Sequence, residues 1–111
     1  MNHRRSRFLR LGCLGLLLAG CVAVGREFAT PTPEMIKDGV TTRAELLERF
    51  GSPTQVGIED GNPTWTWVHV KTGGLGQPVS KELHVKFDER GIVKSYSYTS
   101  NLPEEVKQKT R

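Results

Sequence analysis

Two periods of apolar and polar residues divide this chain into helical and extended segments. The clearest helical segment is RAELLERF, which follows a capping box made by Thr42 and Glu45 and ends before Gly51. In a capping box each side chain accepts a hydrogen bond from the other residue's backbone N–H, which satisfies two unpaired donors of the first turn. The apolar stripe of this segment is Leu46, Leu47 and Phe50. A helix with this stripe facing the core is therefore predicted.

A shorter helix is predicted just before it, in the segment PEMIKD. Pro33 suits the first helical position, because the first N–H groups of a helix are unpaired and proline has none. Thr32 would be the N-cap of this helix and Gly39 would follow its end. Two short N-terminal helices are therefore expected.

From residue 55 onward the period changes to two, which is typical of half-buried β-strands. The alternating segments are residues 64–71, 81–88 and 91–100. The preceding segment QVGIEDGNP either adds a short strand or crosses to the sheet. The sequence thus predicts an α+β fold, an ααβββ two-layer sandwich in which both helices pack on one face of a three-stranded antiparallel sheet.

The second strand indicates which side chains face the helices. Its apolar side chains are Leu83, Val85 and Phe87. On the first strand we expect Trp65 and Trp67 to face the same way, because they offer the larger apolar area. A pairing of Trp65 with Phe87 keeps both apolar sets on one side of the sheet.

This arrangement also bears on which side of the sheet the remaining aromatic and imidazole side chains lie. On the last strand, Tyr96 and Tyr98 either complete the core or form an exposed aromatic pair on the open side of the sheet. The predicted pairing places His69 and His84 on opposite sides, so the two imidazoles cannot share a metal ion. No cysteine or close carboxylate pair completes a metal site in the folded part, and none is expected.

The first twenty residues have the pattern of a secretory leader. Basic MNHRRSRFLR precedes the apolar run LGCLGLLLAG, which is shorter than the roughly 20 residues that cross a bilayer. The junction matches the bacterial lipobox in Leu18, Ala19, Gly20 and Cys21. Cys13 is a poor alternative, because Arg10 occupies the leucine position of its lipobox. The competing interpretation is a buried N-terminal helix that carries two ordinary cysteines.

A lipidated Cys21 has consequences for the rest of the chain. Cleavage before it leaves a single cysteine, so an intramolecular disulfide is impossible. Diacylglycerol and an N-acyl chain on this cysteine would anchor the protein, since several acyl chains bind a bilayer far more firmly than one. Val22 stands where an inner-membrane retention signal would have aspartate. We therefore expect the periplasmic face of the outer membrane, with no cofactor besides the lipid.

The charge distribution excludes one class of partner. The formal net charge is +4, but the leader contains four arginines and no acidic residue, so the remainder is neutral. Charges of both signs are interspersed there, without the basic stripe that nucleic-acid binding requires. The predicted organisation is a leader (1–20), a lipidated cysteine and tether (21–31), a folded domain (32–100) and a C-terminal tail (101–111).

The sequence contains no pattern that predicts catalysis. The glycine-rich segment KTGGLGQP lacks the following helix and the Lys-Ser/Thr pair of a phosphate-binding loop, so it is interpreted as a hairpin loop. No serine lies in the context of a nucleophile elbow. We expect neither enzymatic activity nor a small-molecule substrate.

These features, taken in order, resemble those of the SmpA/OmlA family of small outer-membrane lipoproteins, the family of the BamE subunit of the β-barrel assembly machinery. The resemblance covers residues 32–98. Its most specific residues are Gly39, Val40, Thr41, Leu47, Phe50, Gly51, Ser52, Pro53, Trp65, Phe87, Asp88, Gly91 and Val93. In that family they form a sandwich of two helices and three strands, so the resemblance implies this fold.

The sequence therefore suggests a lipid-anchored domain that binds envelope proteins, with the β-barrel assembly machinery as one candidate. Such a domain would support outer-membrane protein assembly or envelope integrity. The residues predicted to line the partner surface are Val68, Val70, Arg90, Lys94, Tyr96 and Tyr98. The alternative is an inhibitor-like module whose sheet face and 72–80 loop occlude an envelope or periplasmic enzyme.

Overall fold

The computed structural model describes residues 22–74 and 76–106. In chain order the elements are strand β1 (Val22–Gly25), helix α1 (Arg43–Phe50), strands β2 (Gln55–Glu59), β3 (Asn62–Thr72), β4 (Val79–Phe87) and β5 (Val93–Ser100), and a 3₁₀ turn (Pro103–Glu105). The leader and the lipobox, including Cys21, lie outside the described residues. Within the described part, no helix has the length and apolar character needed to cross a membrane.

The sheet has five strands, and every strand pair is antiparallel. Strands β1, β3, β4 and β5 are neighbours in that order, and β2 pairs with β3. Both β1 and β2 lie on the edge of β3 that β4 leaves free, β2 along residues 62–66 and β1 along residues 69–72. The predicted ααβββ sandwich is therefore wrong, because the described chain is mostly β with one α-helix.

Two turns replace the predicted first helix. The Met35 N–H donates to the Thr32 carbonyl at 2.9 Å, and the Thr41 N–H donates to the Lys37 carbonyl at 3.0 Å. Nucleation of a helix is unfavourable, and so short a helix would form few hydrogen bonds to offset it. Tertiary contacts satisfy the backbone instead, because Arg49 of α1 donates to the Met35 carbonyl at 2.7 Å.

Strands β2 and β3 form a hairpin around Asp60 and Gly61. Both residues have positive φ, 53° and 79°, as a two-residue turn of the mirror-image type requires. Asp-Gly is a typical sequence for such a turn. Just before it, the apolar residues Val56 and Ile58 stand two positions apart, as on one face of a strand. The segment QVGIEDGNP, for which the sequence allowed either a short strand or a crossing to the sheet, therefore contains a strand.

Strand β1 lies in the segment 21–31, which we expected to be a tether. Its backbone pairs with the end of β3, beginning with Val22 opposite Thr72. Farther along, Phe28 is only 6% exposed, and its carbonyl accepts a hydrogen bond from the buried Lys81 ammonium at 3.0 Å. That ammonium also lies 4.8 Å from the centroid of the Phe28 ring. The described part of this segment thus packs onto the domain.

The hydrophobic core lies between α1 and one face of the sheet. Its buried members are Phe28, Ile36, Leu46, Phe50, Trp67, Leu83, Val85, Phe87 and Val93. The Trp67 ring packs against Phe50 of α1 with centroids 5.9 Å apart, and its indole N–H donates to the Gly51 carbonyl at 3.0 Å. Inward placement of Trp67 and of the three apolar side chains of β4 is confirmed.

The register between β3 and β4 differs by two residues from the predicted pairing. Trp65 lies opposite Val85, where the sequence analysis placed Phe87. Because side chains alternate between faces, a shift of two residues leaves every side chain on its predicted side. His69 and His84 consequently lie on opposite sides of the sheet, as predicted.

Helix α1 begins with the predicted capping box. The Thr42 N–H donates to Glu45 Oε1 at 2.9 Å, and the Glu45 N–H donates to Thr42 Oγ1 at 3.2 Å. The bond from the Thr42 N–H is the main reason why the pKa of Glu45 lies below its usual value. Leu46 and Phe50 are buried, whereas Leu47, the third residue of the predicted stripe, is 43% exposed.

Candidate binding surfaces

The face of the sheet turned away from α1 is here called the open face. Val68 and Val70 of β3 belong to it, because they alternate with the buried Trp67, and both are half-buried. Val24 of β1 lies directly opposite Val70 and is 54% exposed. These three valines form a small aliphatic patch where β1 pairs with β3.

A polar network lies farther along the open face. His84 Nδ1 is 2.9 Å from the Thr66 hydroxyl, and His84 Nε2 is 3.0 Å from Glu59 Oε1. Lys86 Nζ lies 3.1 Å from the second oxygen of the same carboxylate. Hydrogen bonding to Lys86, and then to His84, lowers the pKa of Glu59, and the bond with Glu59 raises the pKa of Lys86.

The order of hydroxyl, imidazole and carboxylate in this network is that of a hydrolase triad, so its geometry needs testing against catalysis. Thr66, His84 and Glu59 line neither of the two cavities described below. Thr66 is 8% exposed, and Glu59 is an exposed residue of an edge strand. An active site is normally sought in a concave pocket. This network lies on the exposed sheet instead, and we interpret it as a hydrogen-bonded polar surface.

Tyr96 and Tyr98 lie on the core side of the sheet. They pair with Val85 and Leu83 of β4, and the Tyr98 ring meets Phe28 edge-on at 6.4 Å. Burial is the main cause that raises the pKa of both tyrosines. Both line a cavity of about 240 Å³ with Pro31, Thr32, Pro33, Ser97, Glu105 and Val106. Of the two alternatives for these tyrosines, the structure supports packing against the core.

Arg90 lies in the turn between β4 and β5, and Lys94 is the second residue of β5. Arg90 Nη2 is 3.1 Å from Asp88 Oδ2, while Lys94 Nζ reaches Asn62 Oδ1 at 3.4 Å. The hydrogen bond that Asp88 accepts from the Ile92 backbone N–H is the main reason why the pKa of Asp88 lies below its usual value. The six residues predicted to form one partner surface thus belong to three regions, namely the open face, the core side, and the β4–β5 turn with the start of β5.

A second cavity, of about 250 Å³, lies on the core side at the ends of β3 and β4. It is lined by Glu27, His69, Lys71, Val79, Lys81, Leu102 and Glu105. The Nδ1 atom of His69 is buried and has no hydrogen-bond partner. Among the described residues no three His, Cys, Asp or Glu side chains are grouped as metal ligands would be. The lining contains two lysines and two glutamates, so its formal charges cancel.

Among the described residues, the most exposed large apolar side chains are on β2, a segment outside the predicted partner surface. Val56 is 71% exposed and Ile58 is 79% exposed. Val56 lies opposite Trp65, so this pair is on the same side of the sheet as the core. In the described part of the chain β2 pairs only with β3, which leaves its other edge unpaired. The alternating pattern before Asp60-Gly61 was the signal that could have identified this edge.

Comparisons of the whole chain with protein-family models, with curated proteins and with solved structures found no match in any of the three. Several residues that carry the resemblance to the SmpA/OmlA family have structural roles here. Phe50, Phe87 and Val93 are buried core residues. Gly51 and Gly91 adopt positive φ angles of 80° and 82°, which favour glycine.

Proposed function

We propose that this chain is a non-enzymatic lipoprotein of the outer membrane that binds another envelope protein from the periplasmic face. The anchor in this proposal is the lipid on Cys21, supported by the basic leader, the short apolar run and the lipobox that precedes the cysteine. The binding element is β2. The role is to support outer-membrane protein assembly or envelope integrity.

The observation that carries the binding role is the unpaired edge of β2 with Val56 and Ile58 exposed beside it. An edge strand presents unpaired N–H and C=O groups, and proteins usually protect such edges with charges, prolines or a covering segment. A partner that adds an extended strand here would satisfy those groups and bury both apolar side chains. Large exposed apolar side chains grouped together are typical of interaction sites.

The assembly role is supported by the resemblance to the SmpA/OmlA family and by the type of partner that an edge strand suits. Outer-membrane barrel proteins are built of antiparallel strands. The inhibitor-like alternative predicts a different partner, namely one soluble enzyme. The identity of the partner therefore separates the two functions.

The experiment is crosslinking in intact cells with a photoreactive amino acid at position 58, followed by mass spectrometry. The matched control carries the same amino acid at Glu89, an exposed residue of the turn between β4 and β5. We expect one partner to be captured from position 58 and not from position 89. A component of the barrel-assembly machinery supports the assembly role, whereas a soluble enzyme supports the inhibitor role.

A second variant tests whether capture depends on the edge itself. Val56→Lys places a charge beside the edge, which opposes strand addition. Because Val56 is 71% exposed, this variant should keep its stability. Loss of capture from position 58 is the expected result. Unchanged capture, or equal capture from positions 58 and 89, would refute β2 as the contact.

A further inference from the structure

The lipid attachment proposed at Cys21 leaves almost no chain between the membrane and the folded domain. Strand β1 begins at Val22, and consecutive Cα atoms are only about 3.8 Å apart. Val22 pairs with Thr72, the last residue of β3. The chain therefore enters the sheet at the end where β3 leads into the β3–β4 loop, of which the structure describes residues 73, 74 and 76–78.

Strand β1 is held firmly enough that it cannot serve as a flexible spacer. Gly25 at its end has a φ of 74° and approaches the Val68 carbonyl so closely that a Cβ atom would collide with it. Three residues farther along, Phe28 is buried and bound by Lys81. The backbone of the first described residues is thus paired with β3 and followed by a buried side chain, so a lipid before Val22 would restrict the orientation of the whole sheet.

The connections at the two ends of the sheet differ in charge. The sequence from residue 72 to residue 80 contains no Asp, Glu, Lys or Arg. The turns at the other end, here called the distal turns, span residues 59–61 and 88–91. They hold Glu59, Asp60, Asp88, Glu89 and Arg90. Because charged groups lose hydration when they approach a bilayer, the uncharged loop suits the headgroup region better than the distal turns do.

The C-terminal 3₁₀ turn brings two acidic residues toward the same end as the β3–β4 loop. One of them, Glu105, is partly buried and accepts hydrogen bonds from the Tyr98 and Ser100 hydroxyls, both at 3.2 Å. Lys71 and Lys81 line the same cavity as Glu27 and Glu105 at this end, so basic side chains accompany the acidic ones there.

From these observations we infer that the β3–β4 loop rests on the bilayer that holds the lipid, and that the strands point away from it. This inference rests on the lipid anchor of the proposed function and specifies how the domain is presented. Strand β3 has 11 residues, which at about 3.3 Å each places the distal turns roughly 30 Å from the headgroups. β2 ends at one of these turns, so its free edge is held out toward the periplasm.

The test places an environment-sensitive fluorophore on a single introduced cysteine in the mature, lipidated protein. Gln77→Cys labels the β3–β4 loop and Glu89→Cys labels a distal turn, and both native residues are exposed. Since the thiol of Cys21 would be blocked by lipid, only the new cysteine reacts. The protein is reconstituted into vesicles of phosphatidylethanolamine and phosphatidylglycerol that contain a spin-labelled lipid quencher.

We expect the fluorophore at position 77 to be quenched several-fold more strongly by the spin-labelled lipid than the one at position 89. Aqueous iodide should give the reverse order. Equal quenching at the two positions, or stronger lipid quenching at position 89, overturns the orientation. A linker of about ten Gly and Ser residues inserted before Val22 should abolish the difference. A difference that persists with this linker also overturns the inference, because the short attachment would then not set the orientation.

Intact-mass measurement of the same preparations distinguishes a failure of the lipid anchor from a failure of the orientation. An unmodified Cys21 refutes the anchor, and with it the proposed function. A lipidated Cys21 combined with equal quenching refutes only the orientation. Circular dichroism of the labelled variants confirms that each retains its sheet.

Discussion

Replacement of Phe28 by alanine tests whether the chain before residue 32 is part of the folded domain. The Phe28 ring is 6% exposed, meets Tyr98 edge-on at 6.4 Å and lies 4.8 Å from the Lys81 ammonium. Alanine would remove the ring from all these contacts and leave a space in the core. It would also leave Lys81 buried with only its backbone and hydroxyl partners.

The expected loss is large for a domain of this size. Phenylalanine-to-alanine changes in cores cost about 3–5 kcal/mol, against a total stability of about 5–15 kcal/mol for a typical small domain. With a denaturant slope of about 1–3 kcal/mol per molar urea, the unfolding midpoint should fall by roughly 2 M. The Phe28→Ala protein should therefore be close to unfolding under ordinary conditions.

The assay is urea unfolding of the mature protein in detergent, followed by tryptophan fluorescence, because Trp67 is buried in the same core. The matched control is Ile58→Ala, since Ile58 is 79% exposed and should lose less than about 0.5 kcal/mol. A loss for Phe28→Ala that is no larger than the loss for Ile58→Ala would refute the reasoning. The segment before residue 32 would then behave as a tether.

Three further predictions concern the helix cap, the pH dependence and the anchor. Thr42→Ala removes the capping hydroxyl of α1 and should lower the free energy of unfolding by about 1 kcal/mol in urea titrations, whereas an unchanged midpoint would contradict the cap. The pKa values of Glu45, Glu59 and Asp88 are lowered in the folded state, so their stabilisation is present above the ordinary values of 4.5, 4.5 and 3.8 and is lost as the pH falls through the lowered ones. Urea midpoints should accordingly decline below about pH 4.5, and a rise on acidification would contradict this sign. Cys21→Ala should abolish incorporation of labelled palmitate, while the same change at the leader's other cysteine should not.

The sequence identified the elements whose signals are local. The capping box of Thr42 and Glu45 involves residues three positions apart, so it marks the start of α1 without reference to the rest of the molecule. The alternation in residues 64–71 and 81–88 likewise reflects one buried and one open face of each strand. The same alternation correctly separated His69 from His84 even though the register was wrong.

The partner surface was harder to predict, because it depends on which strands become neighbours. Val68 and Tyr96 both looked available in the sequence, yet β5 turns Tyr96 toward the core and β3 turns Val68 away from it. The exposed Val56 and Ile58 resemble core residues by composition alone. Their exposure follows from the position of β2 at the edge of the sheet.

The sequence alone thus determined α1, the three longer strands, the faces of the first two of these strands and the candidate anchor, because each of these depends on residues close together in the chain. Only the tertiary structure decided that Val22–Gly25 is a strand and that residues 33–38 are not a helix. β1 exists because β3 offers it a free edge and the core accepts Phe28. The short helix gives way because contacts with distant residues such as Arg49 satisfy its backbone better than one and a half helical turns would.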